Sequence, residues 1–214
     1  MGLTGGLGTG KSEALRAFRR LGAATLCLDE VAHQVLAKGG PAYGPVRRAF
    51  GRGLLGRGAC GVGSSAGAGR TDFLTAGGEI DRRALGRIVF AQPRLRRRLE
   101  RLTHPAILAR MRRRVRAQRR GLLVVDAPLL FEGGLGKEFD LTAVVTASRL
   151  RRLQRLRRRD GLPLAELRRR LAAQLPLAEK ARRADLVISN DGTLGDLRRK
   201  VREYHRAFEL IYGG

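Results

Sequence analysis

The run Gly5-Gly6-Leu7-Gly8-Thr9-Gly10-Lys11-Ser12 satisfies the spacing G-x-x-x-x-G-K-[ST] in full. Each residue type in it has a chemical reason. Glycines let successive backbone N–H groups turn inward around phosphate oxygens, where side chains would obstruct them. A helix expected to begin at the end of the run adds the positive end of its dipole to the same place. Lys11 can reach the β- and γ-phosphates of a nucleotide, and the Ser12 hydroxyl can ligate Mg²⁺. The motif follows a short apolar stub and precedes an amphipathic stretch, the context in which this spacing is specific. It identifies a nucleotide-phosphate cradle, with ATP and Mg²⁺ as the implied donor and ion, and is silent about the acceptor.

Other residues could complete a phosphoryl-transfer site, each with a plainer role beside it. Asp29 follows the apolar run Thr25–Leu28, at the edge where parallel sheets bind ligands. A carboxylate there can accept a proton from an attacking hydroxyl, or it can cap the helix expected from Glu30. Asp126 ends the most apolar run of the chain, Leu122-Leu123-Val124-Val125. An apolar strand with a terminal aspartate is a weak Walker-B pattern, suited to holding the hydration shell of Mg²⁺. Arg155 and Arg159 lie four apart on one face of a helix. They can offset charge on a transferring phosphoryl group, or form part of a solvated face. His104, followed by Pro105, is expected just before a helix, where a histidine serves as a cap or packing residue as readily as a ligand.

The elements that must position these residues alternate between short apolar runs and helical patterns, which indicates βαβ units and a parallel sheet. The expected strands are Gly2–Thr4, Thr25–Leu28, Leu122–Val125, Leu141–Thr146 and Leu186–Ser189. Helical periodicity is clearest over Lys11–Leu21, Glu30–Ala37, Arg82–Phe90, Pro105–Arg119, Leu164–Leu175 and Leu194–Ile211. Pro105 and Pro163 are expected near helix starts, where a missing N–H costs nothing. Residues 51–78 are glycine-dense, carry no periodicity, and read as a flexible surface loop.

A chain of 214 residues suits one α/β domain with a small inserted region. It has no apolar stretch long enough to span a membrane as a helix. Met1-Gly2-Leu3-Thr4 runs directly into the motif and leaves no room for a signal peptide. The two cysteines, Cys27 and Cys60, form neither a disulfide framework nor a zinc pattern, which fits a reducing interior. A cytoplasmic location is therefore expected, or an organellar one if translation begins upstream. The net charge of +25 comes from 44 basic residues, all but five of them arginine. Such a field attracts polyanions, whether nucleic acid, an anionic surface or a phosphorylated small ligand. The arginines are spread along nearly every expected helix, and with no tryptophan and three tyrosines there is little to stack bases on. No dedicated nucleic-acid partner is expected.

These pieces resemble the dephospho-CoA kinase family. Thr4 through Ser12 is similar to the family's Thr-Gly-Gly-Ile-Gly-Ser-Gly-Lys opening. Further blocks follow in family order: Leu28-Asp29-Glu30-Val31-Ala32-His33, Gly40-Pro41-Ala42-Tyr43, Glu79-Ile80-Asp81-Arg82 and Thr103-His104-Pro105. Asp126-Ala127-Pro128-Leu129-Leu130-Phe131-Glu132, Arg155 through Asp160, Gln174 and Ala184 through Asn190 complete the series. The chain departs from the family in having Cys27-Leu28-Asp29 where Asp-x-Asp is common, and in a longer connection over 51–78.

The resemblance implies an α/β, three-layer P-loop kinase fold over residues 1–214, with a five-stranded parallel sheet. It also implies a lid over 149–175 and a helical acceptor-binding region over 82–120. The implied reaction moves the γ-phosphoryl group of ATP to the ribose 3′-hydroxyl of dephospho-CoA, the last step of coenzyme A synthesis. Asp29 becomes the expected general base, with Lys11 and Arg155 as its catalytic companions. The nucleotide set becomes Gly5, Gly6, Gly8, Thr9, Gly10, Lys11, Ser12, Glu13, Arg159 and Asn190, the last near adenine. The acceptor set becomes Thr4, His104, Pro128, Leu129 and Glu132, and the metal set Ser12 and Asp126. Two other readings remain at this stage: a small-molecule P-loop kinase with a different hydroxyl acceptor, and a nucleotide-binding module without catalysis.

Overall fold

The structure is a computed structural model that describes residues 1–51, 73–118, 120–160 and 174–212. The chain divides into two compact units, Met1–Leu28 with Val115–Gly214, and Asp29–Arg114.

The first unit is built on five parallel strands: β1 (Gly2–Gly5), β2 (Ala24–Cys27), β3 (Leu123–Asp126), β4 (Thr142–Thr146) and β5 (Leu186–Ser189). Their order is β2-β3-β1-β4-β5, so the shortest expected strand lies at the centre. Leu3 pairs with Asp126 on one side and Ala143 on the other. Strands buried on both faces read as continuous apolar runs rather than alternating ones, as Leu123-Val124-Val125 and Ala143-Val144-Val145 do. The expected α/β class and five-stranded parallel sheet are found.

One face carries Leu3, Val124, Ala143, Val145 and Ile188, packed in one cluster with residues of α1 (Lys11–Arg20) and α8 (Leu194–Tyr212). In α1 the buried side chains are Ala14, Leu15, Ala17 and Phe18, an apolar stripe at helical spacing. Phe18 is fully enclosed, which contributes about 2–3 kcal/mol of transfer free energy. Just past its C-cap, Leu21, Gly22 has a φ of 97°, which lets Ala23 N–H reach back to the Phe18 carbonyl at 3.1 Å. α8 begins with a reciprocal cap in which Thr193 N–H donates to Asp196 and Asp196 N–H to the Thr193 hydroxyl. After β3 the chain runs through a 3₁₀ turn at Leu135–Glu138. α6 (Arg149–Asp160) follows β4, and the short α7 (Leu177–Arg183) precedes β5.

The second unit is helical: α2 (Leu28–Leu36), α3 (Tyr43–Gly51), α4 (Arg82–Ala91) and α5 (Pro93–Ala117). Asp81 caps α4 by accepting from the Arg83 and Ala84 amides at 2.9 and 3.1 Å. Of the expected loop over 51–78, residues 52–72 lie outside the described residues. Its C-terminal end is ordered: Leu74 bridges Ile80 antiparallel, and buried Phe73 meets Phe50 edge-on at 6.3 Å.

Three boundaries differ from expectation. α2 begins at Leu28, so Asp29 stands inside the first helical turn rather than at the strand end or as the cap. Carboxylates are favourable there because the helix dipole is positive at that end. Pro105 does not start a helix but lies inside the 25-residue α5, and exposed His104 lies there with it. The Thr103 hydroxyl donates to the Leu99 carbonyl at 2.9 Å, so the turn before the proline has a hydrogen bond of its own. Finally, the helix expected over Leu164–Leu175 falls mostly outside the described residues, and Gln174 and Leu175 are not helical. Among the described residues no helix is long and apolar enough to cross a membrane.

Candidate functional site

The phosphate loop leaves β1 at Gly5 and enters α1 at Lys11. Gly8 and Gly10 have φ of 76° and 91°, values that side-chain-bearing residues rarely adopt. A Cβ on Gly10 would also collide with the Asn190 amide. Gly10 is the N-cap of α1 and supplies no side-chain cap bond, which leaves the first turn's backbone donors to an anion. Lys11 forms an ion pair with the carboxylate of Asp126, at the end of β3. Asp126 is buried, so this pair sits at the mouth of the sheet with little water around it.

Four side chains from distant parts of the chain hold the loop from outside. Arg152 on α6 donates through Nε to the Leu7 carbonyl at 2.9 Å. Arg155, one turn on, donates to the carbonyls of Gly8 and Thr9 at 3.5 and 3.4 Å and to that of Asn190 at 2.9 Å. The Asn190 amide donates to the Thr9 carbonyl at 2.7 Å. Gln174 accepts the Leu7 amide at 3.3 Å. With carbonyls tied outward, the loop's geometry is set before a ligand arrives. Burial lowers the pKa of the Arg152 guanidinium, which nonetheless stays charged. Beside the site, the backbone N–H of Ser148 donates to Asp191 at 2.6 Å and holds its pKa below the ordinary value, with help from the Ser148 side chain.

The expected residues thus divide between the units. The loop from Gly5 to Lys11, with Asp126, Arg155 and Asn190, forms one bonded group in the sheet unit, and exposed Ser12 follows Lys11 in the first turn of α1. Glu13, on the exposed side of α1, pairs with Arg16. Arg159 is on α6, one turn beyond Arg155. Thr4, Pro128 and Glu132 form a second group: the Thr4 hydroxyl donates to the Pro128 carbonyl at 3.2 Å, and Glu132 accepts the Leu175 amide at 3.1 Å. Leu129 between them is half exposed. Asp29 and His104 belong to the helical unit. Within that unit Arg94, Arg97, Glu100, Arg101, His104 and Pro105, all on α5, line a cavity of about 810 Å³.

Sequence reasoning passed over Arg152 and Lys180. The signal for Arg152 was its i, i+3 spacing from Arg155 on one helix. Nothing in the sequence marked Lys180, which is wholly buried. For a divalent ion the site offers the Ser12 hydroxyl and the Asp126 carboxylate, both hard oxygen donors. Among the described residues no group of three or more His, Cys, Asp or Glu gathers to hold a metal. One carboxylate and one hydroxyl fit Mg²⁺, which keeps several waters and takes its other ligands from phosphates.

The model of the dephospho-CoA kinase family matches residues 1–63 and 65–196. A dephospho-CoA kinase of Syntrophotalea carbinolica is 40% identical over 204 residues, covering 94% of this chain and 88% of that one. The crystal structure of TT1252 from Thermus thermophilus superposes with a TM-score of 0.74 at 30% identity, covering 96% of this chain and 95% of its own. Dephospho-CoA kinase from Campylobacter jejuni gives 0.65 at 25% identity, with 98% and 95% covered.

Proposed function

Because the chain belongs to the dephospho-CoA kinase family, we propose that it transfers the γ-phosphoryl group of ATP to the ribose 3′-hydroxyl of dephospho-CoA, yielding coenzyme A and ADP. The observation that carries this reading is the preformed anion cradle of Gly5–Ser12, held by Arg152, Arg155 and Asn190, with the Lys11–Asp126 pair at its mouth.

Phosphoryl transfer asks little covalent chemistry of a protein, so positioning and charge supply most of the rate. The loop's amides and Lys11 grip the β- and γ-phosphates. The bond from the γ-phosphorus to the β,γ-bridging oxygen breaks, its electron pair passes to ADP, and a new bond forms to the acceptor's 3′-oxygen. Asp29 takes the hydroxyl proton. Its support is its place in the chain: it follows by two residues Cys27, whose register partner on β3 is Asp126. Arg155, beside Gly8 and Thr9, and Arg159 one turn beyond it offset the charge of the transferred group. Asn190, fixed to Thr9, borders the adenine. Ser12 and Asp126 would hold Mg²⁺, which when bound neutralises phosphate charge. Thr4, Pro128, Leu129 and Glu132 of the sheet unit and His104 of the helical unit are the proposed acceptor contacts of a cytoplasmic enzyme; of the lid expected over 149–175, residues 161–173 lie outside the described residues.

A panel of hydroxyl acceptors with labelled ATP tests the reading. Strong turnover is expected on dephospho-CoA alone, and replacing Asp29 by Asn should lower it on the order of 10²–10⁴-fold with ATP binding retained. Turnover within about twofold of the parent for Asp29→Asn would show that another group takes the proton.

A further inference from the structure

Lys180 is one of the largest fully buried side chains among the described residues, with no exposed surface at all. Lysines are almost never enclosed this way unless paired. Its ammonium meets Glu132 at 2.8 Å and donates to the Pro128 carbonyl at 2.9 Å. That carbonyl also accepts from Thr4, so both its lone pairs are engaged. Glu132 accepts in turn from the Leu175 amide. The turn Pro128–Glu132 is thereby fixed at both ends by one ammonium group.

A buried ion pair of this kind is poor evidence for stability. Apolar residues of similar volume often stabilise as well or better, because removing two charges from water costs several kcal/mol. What such a pair does supply is one fixed geometry. The segment that carries it reaches both substrate sides: Gln174 bonds the Leu7 amide of the phosphate loop, and six residues later Lys180 holds the turn after β3. The donor loop keeps its other braces, Arg152, Arg155 and Asn190, whatever happens at Lys180. Among the described residues, the side-chain bonds that tie the turn to distant parts of the chain besides Lys180 are those with Thr4 and with the Leu175 amide.

We propose that Lys180 is a positioning residue for the acceptor: with Glu132 it fixes the Pro128–Glu132 turn as one wall of the dephospho-CoA site, independently of the nucleotide cradle. This rests on the acceptor assignment of that turn given above. The pair variant Lys180→Met/Glu132→Gln removes both charges and keeps an oxygen for the Leu175 amide. Folded variant is expected to show KM for dephospho-CoA raised about tenfold or more, KM for ATP within about twofold, and a normal melting transition. Lys180→Arg, which keeps the charge, should recover most of the acceptor affinity. Should the pair variant fail to fold, the milder Glu132→Gln carries the test, with KM for the acceptor raised roughly threefold and KM for ATP unmoved. Acceptor and ATP constants that both stay put, or that rise together, in a folded variant overturn the proposal. Absence of dephospho-CoA turnover by the parent protein would instead sink the functional reading on which it rests.

Discussion

Arginine does two different jobs in the two units. On α6 the guanidinium groups of Arg152 and Arg155 are half-buried and end on fixed carbonyls of the phosphate loop. On α5 those of Arg94, Arg97 and Arg101 are exposed along the wall of an open cavity. The first pair can shape a loop, because the donors are directional and end on fixed acceptors. The second group contributes a field, which salt screens over about 8–10 Å. Residue type is the same in both places. Burial and the presence of rigid acceptors make the difference.

That contrast can be broken by one substitution on each side. Replacing Arg155 by Ala strips several charge-assisted bonds from Gly8, Thr9 and Asn190, and kcat/KM for ATP is expected to fall on the order of 10²-fold at any ionic strength. Replacing Arg97 by Gln should raise KM for the acceptor by only about two- to fivefold at low salt, an effect that vanishes near 0.5 M salt. Steady-state kinetics at two salt concentrations reads both. Equal, salt-dependent losses would mean that the α6 arginines too act only as a field.

The smallest effect belongs to the opposite edge of the sheet, where Asp185 accepts from the Thr142 hydroxyl and amide, both at 2.7 Å. The side-chain bond to Thr142, then the backbone one, lowers the pKa of this exposed carboxylate. A lowered pKa gives stability that is present above the unfolded-state value and lost as pH falls through the folded one. Asp185→Asn should therefore melt slightly below the parent at neutral pH, with the gap closing below pH ~4 and turnover unchanged. A gap that widens on acidification would reverse that sign.

The phosphate loop was legible because its eight residues are contiguous and each type answers a local requirement. The sheet was legible because parallel strands buried on both faces are apolar throughout. Asp126 could be found at a strand end, yet its pairing with Lys11 spans 115 residues and has no sequence signature. The same holds for Arg152 on Leu7, 145 positions away, and for Lys180 on Pro128, 52 away. Long-range hydrogen bonds depend on topology, which spacing along one helix does not encode. α5 misled for another reason: Pro105 is a strong local breaker, and a helix continuing through it is a tertiary outcome. Seven-residue α7 gave too few turns for periodicity to stand out, and α3 carries Gly44 and Pro45 in its first turn, which read as turn residues.

The central claim is that the backbone of Gly5–Ser12, with Lys11, forms a preorganised receptor for a nucleotide's terminal phosphates. Titration calorimetry with ATP and Mg²⁺, on the parent and on Lys11→Ala, tests it most directly. One site of micromolar to sub-millimolar affinity is expected in the parent, weakened on the order of 10²-fold in the variant. No heat from a well-folded parent at millimolar ATP, or equal affinity in the two proteins, would contradict it.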